Sequence, residues 1–181
     1  MHDTLLEDVK AVLSTTSAHW QNLAGTLPSE LLTRRPAPDA WSALECLQHL
    51  FDTEEWVFPR RVEALLEGRD FPNFDPDAEG RQVSGGQSPA ALAGAFAQLR
   101  TATLVLLAQV TPADLPRTAR HSELGQVTLA ELLHEWAAHD LMHTVQAERA
   151  IMQPFIAGSG PWRPYFADHD VGQPPMDEPA R

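Results

Sequence analysis

An all-α fold, a four-helix bundle, is the architecture this sequence predicts, on three observations. Apolar residues recur at helical spacing in four segments, connectors bearing Pro and Gly separate those segments, and no stretch alternates as a half-buried strand would. The chain has 181 residues, enough for one domain with a real core, and its 43% apolar content matches the globular norm. The bundle is expected over residues 1–155, with 156–181 an irregular tail that packs on it or is partly disordered.

The first helix is read from Thr4 to Leu23, with Leu5, Val9, Val12, Leu13, Thr16, Trp20 and Leu23 forming one stripe. Pro28, Pro36 and Pro38 make 27–40 a connector. The second helix opens on Ser42 and Glu45, a capping box in which each side chain satisfies an orphan backbone N–H. Leu47, Leu50, Val57, Phe58 and Leu65 are its inward residues, Pro59 is expected to kink it, and Gly68 to end it. A loop rich in Pro, Gly and Asp runs from Phe71 to Gln87.

Ser88 caps the third helix, with Pro89 at its first position, and Leu92, Phe96, Leu99, Thr103, Leu106 and Val110 give its stripe up to Thr111-Pro112. A second capping box, Thr128 and Glu131, starts the fourth helix, which is read to about Ile151. After Pro154 the tail is expected to turn irregular, and Trp162, Tyr165 and Phe166 could pack back as an aromatic clasp.

Charge excludes one class of partner. Thirteen Lys and Arg stand against 25 Asp and Glu, a formal net of −12, and no basic cluster marks a nucleic-acid or anionic-lipid surface. No basic-then-apolar leader opens the chain and no run reaches the ~20 apolar residues of a membrane span, so no membrane partner is expected. Cys46, the single cysteine, cannot form an internal disulfide, which fits a cytoplasmic location.

The chemistry lies in the histidines. His139 and His143 are four residues apart, one above the other, on the face traced by Leu129, Leu132, Trp136, Ala147 and Ala150. Two imidazoles buried without partners would cost ~1–3 kcal/mol each, a cost that a shared divalent cation removes. A third ligand must come from another helix. His49 is the candidate: on a helical wheel Trp56 stands ~20° to one side of it, and Cys46 and Leu50 ~60° and ~100° to the other, at the edge of the apolar stripe.

Two further residues are weaker candidates. His121, in the connector before the fourth helix, could line a pocket mouth or be a solvated loop histidine. Asp52, one turn after His49, could orient that imidazole or be a solvated carboxylate. Cys46 reads as a small core residue, and His2, His19, His134 and His169 as surface residues.

The segments "WSALECLQHL" and "HSELGQVTLAELLHEWAAHDLMHTVQAERAI" resemble the DinB-like superfamily of metal-binding four-helix bundles. That superfamily includes bacillithiol transferases and mycothiol-dependent maleylpyruvate isomerases. The resemblance covers roughly residues 1–155, and "GPWRPYF" resembles one uncharacterised branch. The family motif, one histidine on the second helix and H-x-x-x-H late in the fourth, implies a metal set of His49, His139 and His143. The isomerase branch has a glutamate in the paired motif where this chain has histidine, which disfavours that activity. Family members often pair, so the resemblance also implies a homodimer.

Three neutral histidines on Zn²⁺, Ni²⁺ or Fe²⁺ leave a coordination position open, as catalytic sites do. Such a centre suits a metal-dependent thiol S-transferase joining a low-molecular-weight thiol to a small electrophile, or a metal-dependent hydrolase. A non-catalytic metal-binding or stress-response bundle is the remaining alternative. Because only neutral imidazole binds metal, affinity is expected to fall below pH ~6.5.

Overall fold

The computed structural model describes residues 2–73 and 87–171. Most of the Phe71–Gln87 loop, the side chain of His2 and the last ten residues lie outside that range. Four long helical units form the body. They are α1 (His2–Thr26), the pair α3 (Ala43–Trp56) and α4 (Phe58–Glu67), α5 (Pro89–Leu107) and α6 (Leu129–Gly158). α1 packs between α5 and α6, and α3 packs between the same two helices from the opposite side. The chain therefore crosses the bundle diagonally twice, through 27–42 and through 108–128.

Both crossings hold structure that the periodicity does not reveal. The first contains a short helix, α2 (Ser29–Thr33), whose Leu32 is buried. The second contains an antiparallel hairpin of β1 (Thr118–His121) and β2 (Gly125–Thr128), pairing Thr118 with Thr128 and His121 with Gly125. The expectation of no strand is corrected here. Each strand has four residues, and only Ala119 and His121 turn inward, too few to register as alternation. Gly125 supplies the positive φ of 78° that the turn requires.

The predicted starts are present. Ser42 and Thr128 each form a complete capping box, and the Ser88 hydroxyl accepts from Ala91 N. Pro59 does more than kink its helix. The helix breaks at Val57, and Pro59 takes a position in the first turn of α4, where its missing N–H costs nothing. Gly68 ends α4 at φ 67°. At the other end of the chain, α6 passes through Pro154 to Gly158, and a 3₁₀ segment (Gly160–His169) follows.

That segment is held by polar contacts, not by an aromatic clasp. Arg149 donates to Asp168 O at 2.9 Å and Gln153 Nε2 to His169 O at 2.9 Å, whereas Trp162 and Tyr165 face solvent.

Two apolar clusters fill the bundle. One joins Leu6, Val9 and Leu13 to α4, the hairpin and the start of α6, and the other joins Trp20 and Ala24 to the starts of α3 and α5. A buried ionic layer crosses the bundle as well. Arg100 of α5, 1% exposed, pairs with Asp140 of α6 at 2.8 Å and Glu54 of α3 at 2.9 Å, and donates to Leu13 O of α1 at 3.0 Å. The Thr16 hydroxyl donates to Asp140 at 2.6 Å.

The α5 stripe is therefore Leu92, Phe96, Arg100, Thr103 and Leu107, with Leu99 and Leu106 only partly buried. By length and composition alone α5 is apolar enough to cross a membrane, although Gln98, Arg100, Thr101 and Thr103 interrupt its apolar run, as the sequence expectation has it. The bundle accounts for that character, because α5 lies against α1 and α3 and carries Arg100 within its ion pairs.

Candidate metal centre

The α3–α6 interface brings His49 to the paired histidines of α6. One ligand atom from each of His49, His139 and His143 lies within 4.8 Å of the other two. Ring centroids are 5.1 Å apart for His49 and His139, 4.6 Å for His49 and His143, and 4.5 Å for His139 and His143. The Nε2 atoms of His49 and His139 approach to 3.0 Å. His143 is buried, and the other two are half-buried.

Burial sets the charge of the three rings. It pulls the pKa of His49 down to about 4, with repulsion from His143 added. It pulls that of His139 down to about 3, helped by His143, His49, Arg100 and Arg61. His143 is also lowered by burial, partly offset by Gln146 and Asp140. All three are neutral at pH 7, the protonation state that ligates metal.

The surroundings fix the rings. Gln146 Oε1 lies 2.9 Å from His143 Nδ1, so it accepts the proton there and leaves Nε2 with a free lone pair. Trp41 stacks on His143, with centroids 5.7 Å apart and planes at 16°, and leans on His49 at 5.1 Å. Phe58 meets the edge of His139 at 5.2 Å. His139 Nδ1 is buried with no partner among the described residues. Trp41 and Gln146, which touch the rings, also line a cavity of about 780 Å³ with Leu141, Met142 and Val145, and the three histidines themselves are not in its wall.

The weaker candidates lie elsewhere. His121 is a buried strand residue and not a solvated loop histidine. Its Nδ1 accepts from Glu123 N at 3.1 Å and Leu124 N at 3.3 Å, which closes the hairpin turn, and it stands outside the three-histidine group. Asp52 is buried too, and accepts from Gln48 Nε2 at 2.9 Å. Cys46 is fully buried, its thiol pushed up to about 12 by desolvation, as a core residue would be. His134 is exposed.

Trp41, Gln146 and Phe58 were not singled out as site residues from the sequence. Gln146 carried a signal, since it stands three residues after His143 on one helix face.

A diagonal four-helix bundle with a histidine triad between its second and fourth long units defines the class. The DinB superfamily model matches residues 12–147, and the chain belongs to that superfamily. Two solved structures from Bacillus subtilis share the fold. YfiT, described as a probable metal-dependent hydrolase with an unusual four-helix bundle topology, is 17% identical, with 80% of this chain and 85% of that one covered at a TM-score of 0.68. The DinB-like protein YjoA is 19% identical, with 80% and 90% covered at a TM-score of 0.54. No curated protein sequence shows a significant match.

Proposed function

We propose that the chain is a divalent-metal-dependent enzyme of the thiol S-transferase type, acting on a small and largely apolar electrophile. The carrying observation is the convergence of three uncharged imidazoles, with Trp41 and Gln146 standing between them and a cavity of aromatic and aliphatic walls. The residues fit a cation. His49 and His139 point their Nε2 atoms at each other, His143 is fixed by Gln146, and His139 keeps a buried nitrogen without a partner among the described residues. Zn²⁺, Ni²⁺ or Fe²⁺ held there would supply Lewis acidity, stabilising negative charge on sulfur or oxygen.

The chain's own residues do the rest. Burial keeps the imidazoles deprotonated. Trp41 covers one side of His49 and His143, and Leu141, Met142 and Val145 give the electrophile an apolar wall. A low-molecular-weight thiol is the second substrate on this reading. Its sulfur forms the new bond to carbon, the leaving group departs with its electron pair, and the thiol proton passes to solvent.

A metal-dependent hydrolase is the second reading, favoured by the likeness of fold to YfiT. Elemental analysis of protein purified without added metal, followed by a screen of thiols and electrophiles, separates the two. A metal-dependent S-conjugate that is lost in His49→Ala supports transfer. Turnover of esters or amides without thiol points to hydrolysis. No turnover, with a large fall in melting temperature on chelation, leaves a metal-stabilised bundle.

A further inference from the structure

Arg60, Arg61 and Arg69 surround one cavity of about 300 Å³ between α4 and residues 69–73. In a chain with 13 basic residues against 25 acidic ones, this is a local reversal of sign. Among the described residues the one acidic side chain in the wall is Asp70, whose Oδ1 accepts from Arg120 N of the hairpin at 3.0 Å. Residues 69–73 are fixed on that hairpin, since Phe71 N donates to Arg120 O at 3.0 Å and Ser122 N to Phe71 O at 3.2 Å.

Arg69 pairs with Glu67. Arg60 and Arg61 form no ion pair among the described residues. Arg60 lies over the Trp56 ring at 4.3 Å and Arg61 over Phe71 at 5.4 Å, with its Nη2 3.5 Å from His121 Nε2. Glu135 of α6 is near enough to feel the charge of Arg61 without pairing with it. Arg61, half-buried and paired with no carboxylate among the described residues, is compensated only at a distance by Glu135, and its planar fork matches the oxygens of a carboxylate or phosphate.

The cavity adjoins the histidines. Arg61 follows Phe58 by one turn on α4, and the Phe58 ring meets His139. The charge of Arg61 also helps hold the His139 pKa down. We propose that the cavity formed by Arg60, Arg61 and Arg69 binds the carboxylate or phosphate group of a small anionic ligand, with Arg61 one helical turn from the Phe58 ring that meets His139. That this ligand is the enzyme's substrate rests on the metal-enzyme reading, whereas anion binding itself does not.

The test titrates the full chain, metal-free and Zn²⁺-loaded, with inorganic phosphate and with succinate at constant ionic strength. Tryptophan fluorescence and melting temperature are the readouts. Saturable binding of at least one anion is expected, weakened about tenfold or more in Arg61→Gln. Trp56→Phe should lose the fluorescence response and keep the thermal one. A phosphate-only response identifies a phosphate site, and a succinate-only response a carboxylate site. If Arg61→Gln does not fold, Arg61→Lys carries the test, keeping the charge but losing the fork and therefore affinity. No saturable binding, or equal binding in wild type and the Arg61 variant, overturns the proposal. Anion binding that survives in His139→Ala, together with no turnover by the Zn²⁺-loaded wild type across the screen of thiols and electrophiles, would sink the metal-enzyme reading and leave the anion site standing.

Discussion

His49 Nε2 and His139 Nε2 face each other at 3.0 Å across the α3–α6 interface. Two neutral imidazoles at that distance share one proton, and His139 Nδ1 has no partner among the described residues whichever ring donates. With a cation bound, both Nε2 atoms would give it a lone pair in place of that shared proton. His139→Ala and His49→Ala are each expected to lose bound metal in elemental analysis. His134→Ala, altered on the exposed side of the same helix, should keep it. Full metal content in His139→Ala would refute the triad.

Gln146 is expected to tune the centre without belonging to it. Its carbonyl holds the His143 proton on Nδ1 at 2.9 Å, so Gln146→Leu frees the ring to rotate and to change tautomer. The loss should be roughly 10–100-fold in metal affinity, read by competition with a chromophoric chelator. Melting of the metal-free protein should change little, because Gln146 lies at the cavity wall and not in the apolar core.

The fold was legible where apolar spacing and capping chemistry agree. Ser42–Glu45 and Thr128–Glu131 start α3 and α6 where the pattern places them. The H-x-x-x-H pair was legible for the same reason, since helical spacing alone stacks His139 on His143. His49 needed the tertiary fold, because its wheel position at the stripe's edge becomes meaningful only once α6 lies beside α3. Arg100 was hidden by its chemistry. It occupies the inward place between Phe96 and Thr103, but a charged residue is not counted in an apolar stripe, so Leu99 took its place. The hairpin was missed because strands of four residues with two inward side chains carry little periodic signal.

Acid should destabilise the metal-free protein in a defined window. His49 and His139 are held at about 4 and about 3, below the value near 6.5 of an unfolded histidine. Above that value neither state binds a proton and the two rings make no difference. As pH falls below it the unfolded chain takes up protons that the folded chain refuses, so stability drops by about 1.4 kcal/mol per pH unit per histidine. The fall should continue to about pH 4, where His49 begins to protonate in the folded state. Metal affinity measured on the folded protein should accordingly persist well below the pH ~6.5 expected of exposed histidines. Urea unfolding across this range checks the first statement, and chelator competition the second.

The ionic layer sets the last expectation. Arg100 compensates Glu54 and Asp140 together, and burial already pushes the Glu54 carboxyl upward against the pull of Arg100. Arg100→Met leaves two carboxylates buried without a cation, a loss of about 3–5 kcal/mol. Glu54→Gln should cost less, since Asp140 still pairs with Arg100 and the amide stays close to neutral burial. Replacing Arg100, Glu54 and Asp140 together with apolar residues of similar volume should recover much of the stability lost in Arg100→Met. Asp140 adjoins His139 in the chain and ties α6 to Thr16 and Arg100, so the triple variant should still bind metal less tightly than wild type. Urea midpoints and metal competition on the same four proteins separate the two effects: a triple variant that regains stability and also full metal affinity would show that the layer serves packing alone.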